Sequence, residues 1–294
     1  MTIQPDPAAR PTAAECGTIC AGAGRSQRDM REWAKAYPDL FSAKPFDAAL
    51  YSTLSLAMAF SGPWFTPGQL RMANKTSLWA FGLDWLVDYA AASRAEVEDI
   101  ARRCLDVAAG APPFPGDDLT RMLADIRDEL AAAPAFTALG PVWRDELRRM
   151  LDGMLAEWRW KAEEVVPTLE EYLGNADNLG FSFAFTAHWI HVTGEEPVAG
   201  IGPLREAGRA VQRVIRLLND LGTYERDVAW GDLNALLLGA GRDEVERRVA
   251  ELAAGARELL APLRGAHPGL AAYMERQMDF CAGFYQVGDY WGTL

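Results

Sequence analysis

Three oxygen-bearing side chains stand four residues apart in Asn219-Asp-Leu-Gly-Thr223-Tyr-Glu-Arg-Asp227. On an α-helix each step of four residues turns only about 40°, so the carboxamide, the hydroxyl and the carboxylate project from one face, ~6 Å apart along the axis. Hard oxygen donors of this kind suit Mg²⁺ better than zinc or copper. Mg²⁺ seldom takes a full protein cage; it shares its shell with waters and substrate phosphates. The triplet reads as half of a metal–diphosphate site or, more plainly, as a solvated helix face. The apolar run Val211-Gln-Arg-Val-Ile-Arg-Leu-Leu218 just before it points to a largely buried helix, on which polar side chains need partners.

A second pair of oxygen donors lies in Asp84-Trp-Leu-Val-Asp88, inside a run dominated by Trp, Phe, Leu and Val. Two carboxylates one helical turn apart in that setting are costly unless cations accompany them. They either cap the wet end of an apolar helix or hold metal. The third informative stretch is Gly174-Asn-Ala-Asp-Asn-Leu-Gly180, which interrupts the helical pattern between Thr168–Leu173 and Phe181–Trp189. A break within a buried helix exposes backbone carbonyls to a cavity; two helices joined by an ordinary loop are the simpler alternative.

The elements that must position these residues are helical. Helical periodicity, broken by Gly and Pro, predicts segments over 29–37, 46–60, 69–93, 93–109, 119–132, 142–166, 203–231, 242–263 and from Pro268 onward. Ser93-Arg-Ala-Glu96 has the form of a capping box. No alternating β pattern, internal repeat, Gly-rich phosphate loop or nucleophile elbow is present. The expected fold class is all-α. Residues 1–26, rich in Ala, Pro, Gly, Thr and Ser, read as a disordered tail, and 27–294 as a single domain.

Composition narrows the function. Of 294 residues half are apolar and 24% charged, ordinary for a globular protein with a substantial core. A net charge of −12 argues against nucleic-acid binding and a basic membrane surface. Cys16, Cys20, Cys104 and Cys281 lack zinc spacing and read as reduced, intracellular thiols. His188 and His191 could share a helix face but lack the Glu of a metalloprotease motif. With no signal peptide and no run of ~18 apolar residues, a cytoplasmic protein is expected.

From residue 29 onward the chain resembles class I terpene synthases, specifically bacterial ones of the diterpene-forming type. Asn219, Thr223 and Asp227 match the family's second metal motif, an Asn/Asp, Ser/Thr and Glu at this spacing. Asp84-Trp-Leu-Val-Asp88 matches its aspartate-rich first motif, about 135 residues earlier (84 to 219). The resemblance implies an antiparallel α-helical bundle with a deep apolar central cavity, whose mouth binds three Mg²⁺ ions and the diphosphate of an isoprenoid. It also implies that Asp84, Asp88, Asn219, Thr223 and Asp227 serve as metal ligands and catalytic residues. Arg216, Arg226 and Tyr290 are then expected to meet the diphosphate. Gly180 fits the effector position, whose carbonyl faces the forming cation. Phe81, Trp85, Phe181, Phe185, Trp189, Phe284 and Trp291 are the expected pocket aromatics, core packing being the alternative for each. Homodimers are common in the family, so a homodimer is a further expectation on that ground alone.

Several residues depart from the family pattern. Trp85 stands where the second Asp of the first motif is expected. Asp227 is one methylene shorter than the usual Glu. Ala176, with Asp177 beside it, replaces a sensor Arg four residues before Gly180, and the C-terminal Arg-Tyr pair reads Asp289-Tyr290. The implied activity is ionisation of a C20 diphosphate followed by carbocation cyclisation. Geranylgeranyl diphosphate and a bicyclic copalyl-type diphosphate are both candidate substrates. The Tyr172-Leu-Gly-Asn175 wording without the sensor Arg resembles bacterial synthases that take the bicyclic one. A sesquiterpene synthase acting on farnesyl diphosphate (C15) and a degenerate, non-catalytic isoprenoid-diphosphate-binding protein stay open as alternatives. A chain-elongating prenyltransferase would carry a second Asp-rich motif in place of Asn219, Thr223 and Asp227.

Overall fold

Thr12 opens the first helix, α1 (Ala13–Ala36). Its hydroxyl accepts the Glu15 N–H at 3.2 Å while the Glu15 carboxylate accepts the Thr12 N–H at 2.7 Å, a reciprocal cap that satisfies two otherwise orphan donors. The computed structural model describes residues 11–194 and 200–292. Helix α1 corrects the expectation of disorder through residue 26: residues 13–26 are helical, with Ile19, Ala23 and Ser26 buried. Alanine-rich composition is helix-forming once a cap and an apolar stripe are supplied. Residues 1–10 lie outside the described residues.

The chain continues through α2 (Pro38–Phe41), α3 (Ala48–Ser61), α4 (Arg71–Asp84), α5 (Arg94–Ala108), α6 (Asp118–Ala131) and α7 (Phe136–Ala162). It completes with α8 (Leu169–Gly174), α9 (Phe181–Val192), α10 (Ile201–Trp230), α11 (Arg242–Leu260), α12 (Leu263–Ala266) and α13 (Pro268–Phe284). No strand occurs among the described residues, so the all-α expectation holds. Helix α7 starts six residues before the predicted Val142 because Pro141 falls in its second turn, where the missing N–H costs one intrahelical bond. At the start of α5 the Ser93 hydroxyl accepts the Glu96 N–H, but the Glu96 carboxylate caps the Ala92 N–H rather than closing on Ser93.

Helices α3, α4, α9, α10 and α13 pack in sequence around a central cavity, and α7, packed on α9, adds a further wall. Helix α1 covers α3, and α11 covers the outer side of α10. The largest buried side chains, among them Trp79, Trp143 and Phe183, fill the α4–α7–α9 junction, with ring centroids 5.4–5.5 Å apart. His188 belongs to the same core: it is fully buried between Phe65 and Tyr273, each ring 4.7 Å away. Burial, then the neighbouring His191, drives its pKa down to about 3. The two histidines do not converge, because His191 Nε2 turns to the Gly68 carbonyl at 2.9 Å. Among the described residues no helix is long and apolar enough to cross a membrane.

Two outcomes follow from this packing. Ile19→Ala should cost about 2 kcal/mol and lower the melting temperature by several degrees; an unchanged melting curve would detach α1 from the fold. His188 is neutral in the native state, whereas the unfolded chain takes up a proton below pH ~6.5. A depressed native pKa means that its contribution is complete above that value and is lost as pH falls. Stability of the wild type relative to His188→Gln should therefore decline by ~1.4 kcal/mol per pH unit between pH 6.5 and about 4. Denaturant titrations across that range measure the slope.

Candidate active site

Asp84 is the last residue of α4. The helix does not run on regularly to Ser93 as expected; it widens into a π-helical turn, Trp85–Ala90, in which the Ala91 N–H reaches the Leu86 carbonyl at 2.8 Å. Such turns mark places where a side chain is re-aimed at a cost in backbone regularity. Here the widening stacks Trp85 on Tyr89 with centroids 4.0 Å apart, and Asp84 and Asp88 open onto one cavity. Trp158 of α7 donates its indole N–H to the Val87 carbonyl at 3.1 Å, holding the turn in place.

The opposite wall is the C-terminal half of α10. Asn219 and Asp227 line the cavity, and Thr223 lies behind them, 3% exposed. The Thr223 hydroxyl bridges the Asn219 carbonyl at 2.8 Å and Asp227 Oδ2 at 2.7 Å. Asn219 donates its amide to the Tyr285 hydroxyl at 3.2 Å. Asp227 is tied at both oxygens: Oδ1 accepts Arg226 Nη2 at 2.9 Å, and Oδ2 also accepts Asn234 Nδ2 at 2.9 Å. Arg226 is shared further, with a charge-assisted bond to Asp289 and its guanidinium 5.2 Å from the Trp230 ring. Arg216 reaches the cavity from the same helix, bonded to the Tyr172 hydroxyl at 2.6 Å and to Glu157 at 3.0 Å.

Between the two walls, α8 ends at Gly174, a 3₁₀ turn covers Ala176–Leu179, and Gly180 takes a left-handed φ of 74° before α9 begins. A side chain at Gly180 would be strained by that φ and would meet Met150 Sδ at 2.6 Å. Gly180 lines the cavity together with Asn178. Asp177, beside the expected sensor position, turns away from it: Arg149 pairs with one oxygen and Gln212 Nε2 donates to the other at 2.8 Å.

The cavity has a volume of about 190 Å³. Among the described residues six carboxylates (Asp84, Asp88, Glu157, Asp227, Asp232 and Asp289) and two guanidiniums (Arg216 and Arg226) line it. Burial and then the charge of Asp232 hold the Asp84 carboxyl above the usual range. Burial and then Asp84 raise Asp88 well above its own. Glu157 is raised by burial against the pull of Arg216 and Lys161. Lys161 offsets part of the excess through its ion pair with Asp232 at 2.8 Å.

Of the expected pocket aromatics, Phe81, Trp85, Phe181, Phe185 and Trp291 do line the cavity, as does Tyr290. Phe81 lies 5.1 Å from Trp291 and 5.5 Å from Tyr290. Two expectations are corrected. Trp189 is buried behind Phe185 in the core, and Phe284 packs on Tyr290 at 4.4 Å from outside the cavity. Trp189 shares the helix face of Phe181 and Phe185 but lies two turns beyond Phe181, outside the residues that line the cavity. Sequence patterns gave no hint of Asp232, Glu157, Tyr285 or Asn234, since each is delivered by tertiary packing and none belongs to a motif.

Comparison with known proteins agrees with this geometry. Residues 75–241, which include both carboxylate arms, match the family model described as terpene synthase family 2, C-terminal metal binding. Ent-pimara-9(11),15-diene synthase from Streptomyces sp. (strain KO-3988) is 28% identical over 274 residues, covering 90% of this chain and 91% of that protein. The fold is similar to that of 2-methylisoborneol synthase from Streptomyces coelicolor A3(2), solved with Mg²⁺ and 2-fluoroneryl diphosphate. That match has a TM-score of 0.76 at 17% identity and covers 93% of this chain and 94% of that one. Linalool/nerolidol synthase from Streptomyces clavuligerus is also similar, with a TM-score of 0.68 at 19% identity over 90% of this chain and 94% of that one. With two oxygen-donor arms facing each other across an apolar, aromatic-walled cavity and a family model spanning both, the chain belongs to the metal-binding terpene synthases of family 2.

Proposed function

We propose that this chain is a class I diterpene synthase that ionises a C20 isoprenoid diphosphate with Mg²⁺ and cyclises the resulting carbocation. The observation that carries the reading is one continuous cavity, shared by the oxygen donors Asp84, Asp88, Asn219 and Asp227 and by the aromatics Phe81, Trp85 and Phe181. The donor set fits Mg²⁺. Among the described residues no three His, Cys, Asp or Glu side chains converge on a self-sufficient cage, which suits an ion that completes its shell with phosphate oxygens and water.

Asp84 and Asp88 would hold metal from one wall, and Asn219, Thr223 and Asp227 from the other, Thr223 by giving up its bond to Asp227. Three ions are expected with diphosphate bound, and they supply the positive charge that lets the diphosphate leave with the electron pair of the breaking C–O bond. Arg226 and Arg216 face the same space and add cationic hydrogen bonds to the leaving group, and the Tyr290 hydroxyl is a further donor. Past the mouth the wall turns apolar. There the rings of Phe81, Phe181 and Trp291 exclude water and present negative π-faces to a migrating cation. The Gly180 carbonyl accepts the Ala184 N–H at 3.0 Å and would offer its second lone pair to that charge. Proton loss or capture of water then releases a hydrocarbon or an alcohol.

The full-length Streptomyces relative supports a C20 substrate, linear or bicyclic. The second reading is a shorter substrate such as farnesyl diphosphate; fold neighbours bound to the C10 analogues 2-fluorogeranyl and 2-fluoroneryl diphosphate keep a substrate shorter than C20 open. Incubation with C10, C15, C20 and bicyclic C20 diphosphates, with and without Mg²⁺, separates them by gas chromatography–mass spectrometry. A Mg²⁺-dependent C20 product is expected. Product from C15 alone would install the second reading, and no product from any would leave a diphosphate-binding protein.

Asn219→Ala and Asp227→Ala should each lower turnover by roughly 10²-fold or more while circular dichroism shows a folded protein; near-wild-type turnover in Asp227→Ala would remove it from the site. Phe81→Ala should redistribute products more than it slows diphosphate release. An unchanged product spectrum would exclude Phe81 from the cation's path.

A further inference from the structure

Asp227 is held by more than its own helix. Seven residues on, past the end of α10, Asn234 is fully buried and does not line the cavity. Its Nδ2 donates to Asp227 Oδ2 at 2.9 Å and to the Asp220 carbonyl at 2.8 Å, while its Oδ1 accepts the Leu236 N–H at 3.0 Å. Two acceptors on one side and a backbone donor on the other leave a single orientation of the carboxamide that satisfies every bond. The loop that carries Asn234 is itself stitched to α10, because the Ala235 N–H reaches Asp220 Oδ2 at 3.1 Å and the Tyr172 hydroxyl reaches Asp220 Oδ1 at 2.9 Å.

We propose that Asn234 is a positioning residue for the second metal arm: its amide fixes the carboxylate of Asp227, a side chain one methylene shorter than the glutamate of the family motif. A longer side chain can seek an ion by rotating. A short one must be held where the ion will lie, and groups that orient a metal-binding carboxylate commonly set metal affinity by 10–100-fold. The bond leaves room for that task. A carboxylate offers about four lone-pair sites; Asn234 keeps one of Oδ2, Thr223 gives up the other when it takes metal, and the contacts of Arg226 with Oδ1 are free to pass to a diphosphate. The inference rests on the reading of Asp227 as a ligand, and the experiment keeps the two separable.

Mg²⁺ is titrated calorimetrically into the full chain in the presence of inorganic diphosphate. The wild type is compared with Asn234→Ser, Asp227→Ala and the double variant Asn234→Ser/Asp227→Glu. Serine keeps an oxygen to cap the Leu236 N–H but cannot span to Asp227; Asn234→Thr serves the same purpose if the serine variant does not fold. Asn234→Ser should raise the half-saturating Mg²⁺ concentration about tenfold. The double variant should recover most of that affinity without recovering thermal stability, which a merely structural role would not produce. If Asp227→Ala abolishes binding while Asn234→Ser stays within about twofold of wild type, or if the double variant recovers nothing, the inference falls and the site stands. If Asp227→Ala binds as the wild type does, the site reading itself falls.

Discussion

The constraint on which the rest of the structure depends is an excess of negative charge in a buried, apolar surround. Among the described residues six carboxylates share a cavity with two guanidiniums, and burial first, then neighbouring carboxylates, holds Asp84, Asp88 and Glu157 above the usual range. Carboxylates so placed destabilise the fold unless cations join them. A diphosphate alone would worsen the imbalance. The carboxylate excess favours divalent cations, and under the proposed function a diphosphate would find a favourable field only alongside them.

Such a charge arrangement requires a backbone that departs from regularity where the charges are placed. The π turn at Trp85–Ala90 brings two carboxylates and a stacked Trp85–Tyr89 pair to one wall. Gly180 ends a 3₁₀ turn in a conformation that strains any side chain, and a Cβ there would press on Met150 Sδ. Gly222 does the same for the α10–α13 junction, where a Cβ would meet the Tyr285 carbonyl at 2.7 Å. That approach puts the Tyr285 hydroxyl on Asn219. Local irregularity of this kind persists only where surrounding packing over-determines it, and here the Trp158 indole and the dense α4–α7–α9 core supply that packing.

The parts of this arrangement legible in the sequence are those carried by period. Asn219 and Asp227 share a face because both are multiples of four residues apart on a straight helix, and the apolar run before them gives the helix its buried side. The break at Gly174–Gly180 is legible because two glycines flank a polar stretch. Other features escape because they depend on contacts with no sequence signal. The π turn looks like ordinary helix, since nothing in Trp-Leu-Val-Asp-Tyr-Ala specifies i→i+5 bonding. Thr223 reads as a cavity residue from spacing alone, yet its side chain is buried and bonded to the Asn219 carbonyl and to Asp227. Helix α1 reads as disordered because Ala and Gly dominate it, although Thr12 and Glu15 form a capping box at its start.

The departures from the family pattern form a consistent set. Where arginines are expected near the diphosphate, this chain has Ala176, with Asp177 beside it, and Asp289; each aspartate is matched by an arginine elsewhere, Arg149 for the first and Arg226 for the second. The first pairing leaves the mouth altogether, since Arg149 does not line the cavity. The second ties the C-terminal segment bearing Tyr290 and Trp291 to α10, with Trp291 set among Phe46, Phe81 and Trp85. Under the proposed function the cationic work at the mouth would fall to fewer side chains, and Arg226 would serve Asp227, Asp289 and the substrate in turn. A site with so few fixed cations would rely more heavily on metals, and a short carboxylate holds a metal best where it is fixed in advance. That is the arrangement seen around Asp227, which its own helix, Arg226, Thr223 and Asn234 restrain from four directions.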